Sequence, residues 1–196
     1  MIPDGFTDLA PGKIASVVTY LEMRERPPQK DASPSQITLR GVRDPDLNWY
    51  RALFRRAGVQ WLWFSRLEMT DQQLAAILNS PSNELFVAEH GRSEIGMAEL
   101  DRSQLPDVEI TFFGLFPEAI GMHFGRAFIA AVLDRAWLHS TGRVWLHTCN
   151  LDAPAALSFY MKCGFRPYKQ AIEVADDPRI RGILPEDTAP HVPIIR

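Results

Sequence analysis

The chain has 196 residues, 46% hydrophobic and 23% charged, with a net charge of −3, which suits one domain spanning 1–196 with a sizeable core. Scattered basic residues and a slight acidic excess exclude the electrostatic footprint of a nucleic-acid or anionic-membrane binder, and no apolar run approaches the roughly 20 residues that span a bilayer. Cys149 and Cys163 lack metal-ligand spacing, and MIPDGFTDLAPGK lacks the basic-then-apolar layout of a signal peptide, so the expectation is a cytoplasmic, reduced protein without a metal.

In chain order, Ile14 to Glu22 reads as a strand, and the Pro-rich stretch from Arg26 to Ser35 as a hairpin excursion or mobile loop. Asp46 to Ala57 has helical spacing, with Trp49, Leu53 and Ala57 or Phe54 along one side. Asp71 to Leu78 reads as a second helix, with Thr70 or Asp71 placed to cap it. Glu84 to His90 and Glu94 to Asp101 read as strands joined by Gly91-Arg92-Ser93, a hairpin signal. Val108 to Leu115 is the next strand and Gly121 to His139 the longest helix, with Phe124, Phe128, Val132 and Ala136 as its buried stripe. Arg143 to Cys149 alternates as a half-buried strand does. Asp152, Ala153 and Pro154 then open a helix, with Asp152 as N-cap, that runs to Cys163 and stops at Gly164. A last strand follows, and the four prolines between Asp176 and Arg196 make the tail extended chain packed on the domain. The order predicts an α/β fold around one central sheet.

Two segments carry chemistry. A pyrophosphate needs several N–H donors aimed at one place, which the first turn of a helix supplies, and glycine lets backbone approach closely. Gly121, Met122, His123, Phe124, Gly125 and Arg126 offer that arrangement at the head of the long helix, with Arg126 able to add a charge-assisted bond. In the second segment, Arg143 to Tyr168, the order strand, helix, Gly-Phe, strand carries Tyr160 on the helix.

Together with VEITFFGLFPEAIGMHFGRAF (Val108 to Phe128), that segment resembles the GCN5-related N-acetyltransferases, and VTYLEM, QWLWFSRLEM and FFGLFPEAIG resemble a bacterial subgroup of them. The resemblance covers nearly the whole chain. It implies a central mixed, mostly antiparallel twisted sheet, helices on both faces, and a splay between the fourth and fifth strands, those at Val108 and Arg143. It implies acetyl-CoA as cosubstrate, the backbone of Leu115 and Phe116 against the pantetheine arm, and one of their amides polarising the thioester. Gly114 is placed for the bulge that such a strand carries. Tyr160 matches the tyrosine that protonates the leaving thiolate, and Glu109 the catalytic glutamate. Glu109 is expected on one face with Thr111 and Phe113; its alternative role is a solvent-facing edge carboxylate. His147 is a reserve base. The family often carries an asparagine seven residues before the tyrosine; that position is Ala153, and Asn150, three residues earlier, is kept among the coenzyme contacts.

The chain also departs from the family pattern of Gln or Arg, two residues, Gly, one residue, Gly or Ala. Those positions fall on Ile120, His123 and Gly125, and the subgroup's cationic side chain falls on Met122. A histidine in place of glycine costs roughly 1–3 kcal/mol if the backbone there is strained. The acceptor is expected to be a small or protein amine. The alternative is a non-catalytic coenzyme-binding or interaction protein that kept the fold. Monomer and homodimer are both open. Trp49, Trp61, Trp63 and Phe64 are candidates for an aromatic acceptor wall, or simply for core.

Overall fold

The computed structural model describes residues 4–26, 37–138 and 141–196. Among them, one seven-stranded sheet has the order β2-β3-β4-β5-β6-β1-β7. The strands are β1 (Lys13–Met23), β2 (Ile37–Val42), β3 (Asn83–His90), β4 (Ser93–Gln104), β5 (Asp107–Leu115), β6 (Arg143–Cys149) and β7 (Arg166–Asp176). The helices are α1 (Leu47–Gly58), α2 (Asp71–Leu78), α3 (Gly125–Ala136) and α4 (Ala156–Lys162). Every neighbouring pair runs antiparallel except β5 and β6, which α3 joins as a crossover. No helix among the described residues is long and apolar enough to cross a membrane.

Period-two alternation divides the sheet between two cores. In β3, Phe86 and Ala88 face the α3 side, while Leu85 and Val87 face α1 and α2. Helix α3 buries Phe128, Ile129, Val132, Leu133 and Ala136 against the first face. Helix α1 buries Tyr50, Leu53, Phe54 and Ala57 against the second. Asp46 caps α1 through the Trp49 amide, and Thr70 caps α2 in a reciprocal box with Gln73.

Several boundaries differ from the sequence reading. Strand β2 was not expected: its six half-exposed residues bury too little to show a pattern, and pairing with β3 makes it a strand. Of the Pro-rich stretch from Arg26 to Ser35, all but Arg26 lies outside the described residues, as does His139. Helix α3 begins at Gly125 rather than Gly121, because Gly121 and His123 both have positive φ (83° and 62°). Helix α4 begins at Ala156 without a side-chain cap, since Asp152 is bonded elsewhere. Gly164 (φ 103°) does end the α4 turn as expected. The bulge of β5 sits at Thr111, not Gly114: Glu99 pairs with Phe112 and Leu100 with Ile110, which leaves Thr111 without a partner.

Candidate functional site

Strands β5 and β6 pair only through Asp107–Arg143, Val108–Val144 and Glu109–Trp145. Beyond Glu109 they part, leaving residues 110–115 facing 146–149 across a gap. A cavity of about 1110 Å³ fills that gap. Its ends are chemically distinct.

One end is lined by Ile120, Gly121, His123, Gly125 and Arg126. Helix α3 starts there with neither a side-chain cap nor an acidic residue in its first turn, so its first amides lack intrahelical acceptors and point outward. Gly125 lies against the Phe159 ring, which a Cβ would meet at 3.4 Å. His123 holds a left-handed conformation that glycine adopts freely and other residues at a cost.

The middle is the bare edge of β5. The Phe116 amide donates to the Ile95 carbonyl at 2.9 Å, and Phe116 itself is wholly buried beneath the Arg56 guanidinium. Ladder alternation then turns the Leu115 and Phe113 amides away from β4 and toward the gap. Of the two amides expected to face an acyl donor, only that of Leu115 is free to do so. Tyr160 lines the same stretch at 9% exposure, among Phe113, Phe159 and Phe165. Burial pushes its phenol well above the ordinary range, and the nearby Asp152 and Cys163 add to this.

The far end is walled by Trp61, Trp63, Phe64 and Arg66 from the loop after α1, by Phe112, and by Glu173 on β7. Asp152 straps this wall to β6: it accepts from Trp63 Nε1 (3.1 Å), Thr148 Oγ1 (2.7 Å) and the Cys149 amide (2.9 Å). Gly58 and Gly114 admit Trp63: a Cβ on Gly58 would stand 2.3 Å from the indole, and one on Gly114 3.2 Å. Beneath the wall Glu99, fully buried, accepts from the Tyr50 hydroxyl and from Arg66 Nη2 (3.1 Å). Burial alone would lower the Arg66 pKa, but the Glu99 carboxylate reverses this and holds the guanidinium charged.

Glu109 is the last paired residue before the gap, and does not itself line the cavity. The bulge at Thr111 reverses the side-chain phase. Glu109 therefore shares the α1 face with Asp101 and Arg66, while Phe113 faces α3, contrary to the expected common face. Burial first, then the Asp101 charge, raises its carboxyl to about 7, with Arg66 acting the other way.

Leu115, Gly121, His123, Gly125, Arg126 and Tyr160 thus meet around one cavity, with the reserve His147. Phe116, Met122, Phe124 and Asn150 do not line it. Met122 and Phe124 border a smaller hollow, where Phe124 packs on His90. Asn150 Oδ1 accepts from the Val17 amide at 2.6 Å, tying β6 to β1. The Tyr50–Glu99–Arg66 group was not anticipated. A glutamate inside the apolar run GMAEL was its one signal, since a charge at a buried strand position needs a partner.

The acetyltransferase (GNAT) family model matches residues 47–165, which contain the gap, the bare helix start and Tyr160. The chain belongs to the acetyltransferase (GNAT) family. Solved structures share the fold at low identity. Spermidine N-acetyltransferase from Vibrio cholerae, in complex with CoA and spermine, is 21% identical over 73% of this chain and 98% of its own, with a TM-score of 0.55. IAA acetyltransferase from Bacillus cereus is 19% identical over 68% and 79%, TM-score 0.52. A conserved protein of unknown function from Staphylococcus epidermidis is 16% identical, TM-score 0.56; it covers 85% of this GNAT chain, which spans 64% of its length. No curated protein matches the sequence.

Proposed function

We propose that this GNAT chain transfers an acetyl group from acetyl-CoA to a primary amine by direct attack in a ternary complex. The observation that carries the reading is the gap between β5 and β6, which joins a bare helix start to an aromatic-walled pocket.

The residues present fit the cosubstrate. A pyrophosphate suits the free first amides of α3 beside Arg126, and among the described residues no carboxylate lines that end to repel it. The pantetheine arm fits the unpaired β5 edge as an added strand would. The Leu115 amide is then the donor for the oxyanion that forms as the amine attacks. A lysine-like amine has a pKa near 10.4, so freeing its lone pair at pH 7 costs about 4–5 kcal/mol and a base is useful. Glu109, raised to about 7, is matched to that task through a water, as it borders the cavity without lining it. Tyr160 holds its proton firmly, since a buried phenol is a weaker acid than the thiol of coenzyme A. Its hydroxyl accordingly serves as a hydrogen-bond donor to the departing sulfur. Aromatic walls with few carboxylates favour a small amine bearing an apolar group over a polycation.

The left-handed His123 favours the second reading, a coenzyme binder without turnover. Calorimetric titration with acetyl-CoA and a thiol-release assay over an amine panel separate the two. Micromolar binding with turnover, lowered about 10²-fold or more in Tyr160→Phe at unchanged coenzyme affinity, supports the transferase. Binding without turnover for any amine supports the binder. No binding at millimolar coenzyme overturns both.

A further inference from the structure

Strand β7 is eleven residues long and ends the sheet, and among the described residues nothing pairs with its outer edge. Long, exposed edges are ordinarily blunted, because their free N–H and C=O groups template pairing with another chain. Here nine of the eleven residues are exposed, including Ile172 (49%) and Val174 (53%), with Val17 of β1 (47%) beside them.

The hydrogen-bonding phase of this edge is set by β1. Val17 turns its backbone toward β6: its amide donates to Asn150 Oδ1, and its carbonyl accepts from the Asn150 amide. The Val17–Ile172 pair is therefore a non-hydrogen-bonded one, and Ile172 points its own N–H and C=O outward. By alternation so do Gln170 and Val174. Lys169 and Glu173 lie on one face of the strand, since Lys169 packs over Tyr20 and Glu173 lines the cavity.

We infer that β7 pairs antiparallel with β7 of a second copy of this chain, about a two-fold axis at Ala171. In that register Gln170 faces Ile172 of the second copy as a hydrogen-bonded pair, in phase with the outward groups. Lys169 faces Glu173, twice over by symmetry, and the small Ala171 meets itself on the axis. Moving the axis one residue either way parts both ion pairs. Moving it two residues sets lysine against lysine or glutamate against glutamate, which is destabilising. The backbone phase admits any two-fold axis centred on a residue, and the charge pattern selects the one at Ala171. Because Glu173 lines the cavity, pairing brings Lys169 of the second copy to the cavity mouth, so the site is completed across the dimer.

The test is sedimentation velocity on the full chain, with circular dichroism to confirm folding. Wild type is expected to be dimeric at micromolar concentration, with Lys169→Glu and Glu173→Lys each shifted toward monomer. An equimolar mixture of the two variants places opposite charges across both contacts, and is expected to dimerise about ten-fold more tightly than either alone. If a single variant fails to fold, the K169E/E173K double variant restores both contacts and is expected to be dimeric. A monomeric wild type, a dimer indifferent to either reversal, or a mixture no tighter than its components overturns the proposal.

Discussion

Glu109 ties a single residue to measurable pH dependence. Its carboxyl ionises near 7 in the folded chain against an ordinary 4.5. Between those values the folded state keeps a proton that the unfolded state has lost, so stability falls as pH rises across the window. Glu109→Gln removes that loss and is expected to gain about 1–3 kcal/mol over wild type above pH ~8, after allowance for partial exposure. Denaturant titrations at pH 5 and pH 8 measure it. If Glu109 is the base, the rate rises with pH through about 7 in wild type, and that limb disappears in the glutamine variant. His123 is a second single-residue case. Its φ of 62° is left-handed, which histidine tolerates better than a β-branched residue does. His123→Val is expected to lose about 1–2 kcal/mol, while His123→Gly is expected to hold or gain stability and to bind acetyl-CoA more tightly. Equal coenzyme affinity in wild type and His123→Gly would show that the histidine does not hinder the loop.

At the level of elements, Tyr50, Glu99 and Arg66 join α1, β4 and the loop between α1 and α2 through one buried carboxylate. Removing one partner of a buried ion pair leaves an uncompensated charge, which costs about 3–5 kcal/mol. Arg66→Met is expected to lose that much, and Glu99→Gln in the same chain to recover part of it. Chemical denaturation of the two single variants and the double variant gives the coupling. Arg66 also lowers the Glu109 pKa, so Arg66→Met is expected to move the pH–rate limb upward, which a purely structural arginine would not do.

Across the whole molecule, the tail beyond β7 supports the aromatic wall of the cavity. Arg179 and Asp177 are buried as a pair, and Arg179 Nη1 donates to the carbonyls of Thr188, Ala189 and Val192. That knot presses Leu184 and Ala189 onto Leu62, next to Trp61 and Trp63. Arg179→Met is expected to free the tail at a cost of about 3–5 kcal/mol locally. Amide exchange in 177–196 is then expected to quicken, with KM for the amine rising more than KM for acetyl-CoA. Equal effects on both constants would detach the tail from the proposed binding of the amine.

Local pattern alone carried the elements that bury one face in a regular period. Most of the α1 stripe (Tyr50 excepted), a cap at Thr70 or Asp71, the β3–β4 hairpin and the Gly164 stop were legible, because each depends on residues within one or two turns. The motif from Arg143 to Tyr168 carried the family, and with it the gap between β5 and β6. What the local pattern missed depends on partners far along the chain. Strand β2 exists because β3 lies beside it. The bulge at Thr111, and hence the face that Glu109 takes, follows from the register against β4. Asp152 left its helix to bond Trp63, 89 residues away, and Phe116 spent its amide on Ile95. Sequence alone determined which residue types were at hand for the chemistry. Tertiary structure decided which donors stayed free, because a polar group's availability depends on what else has folded against it.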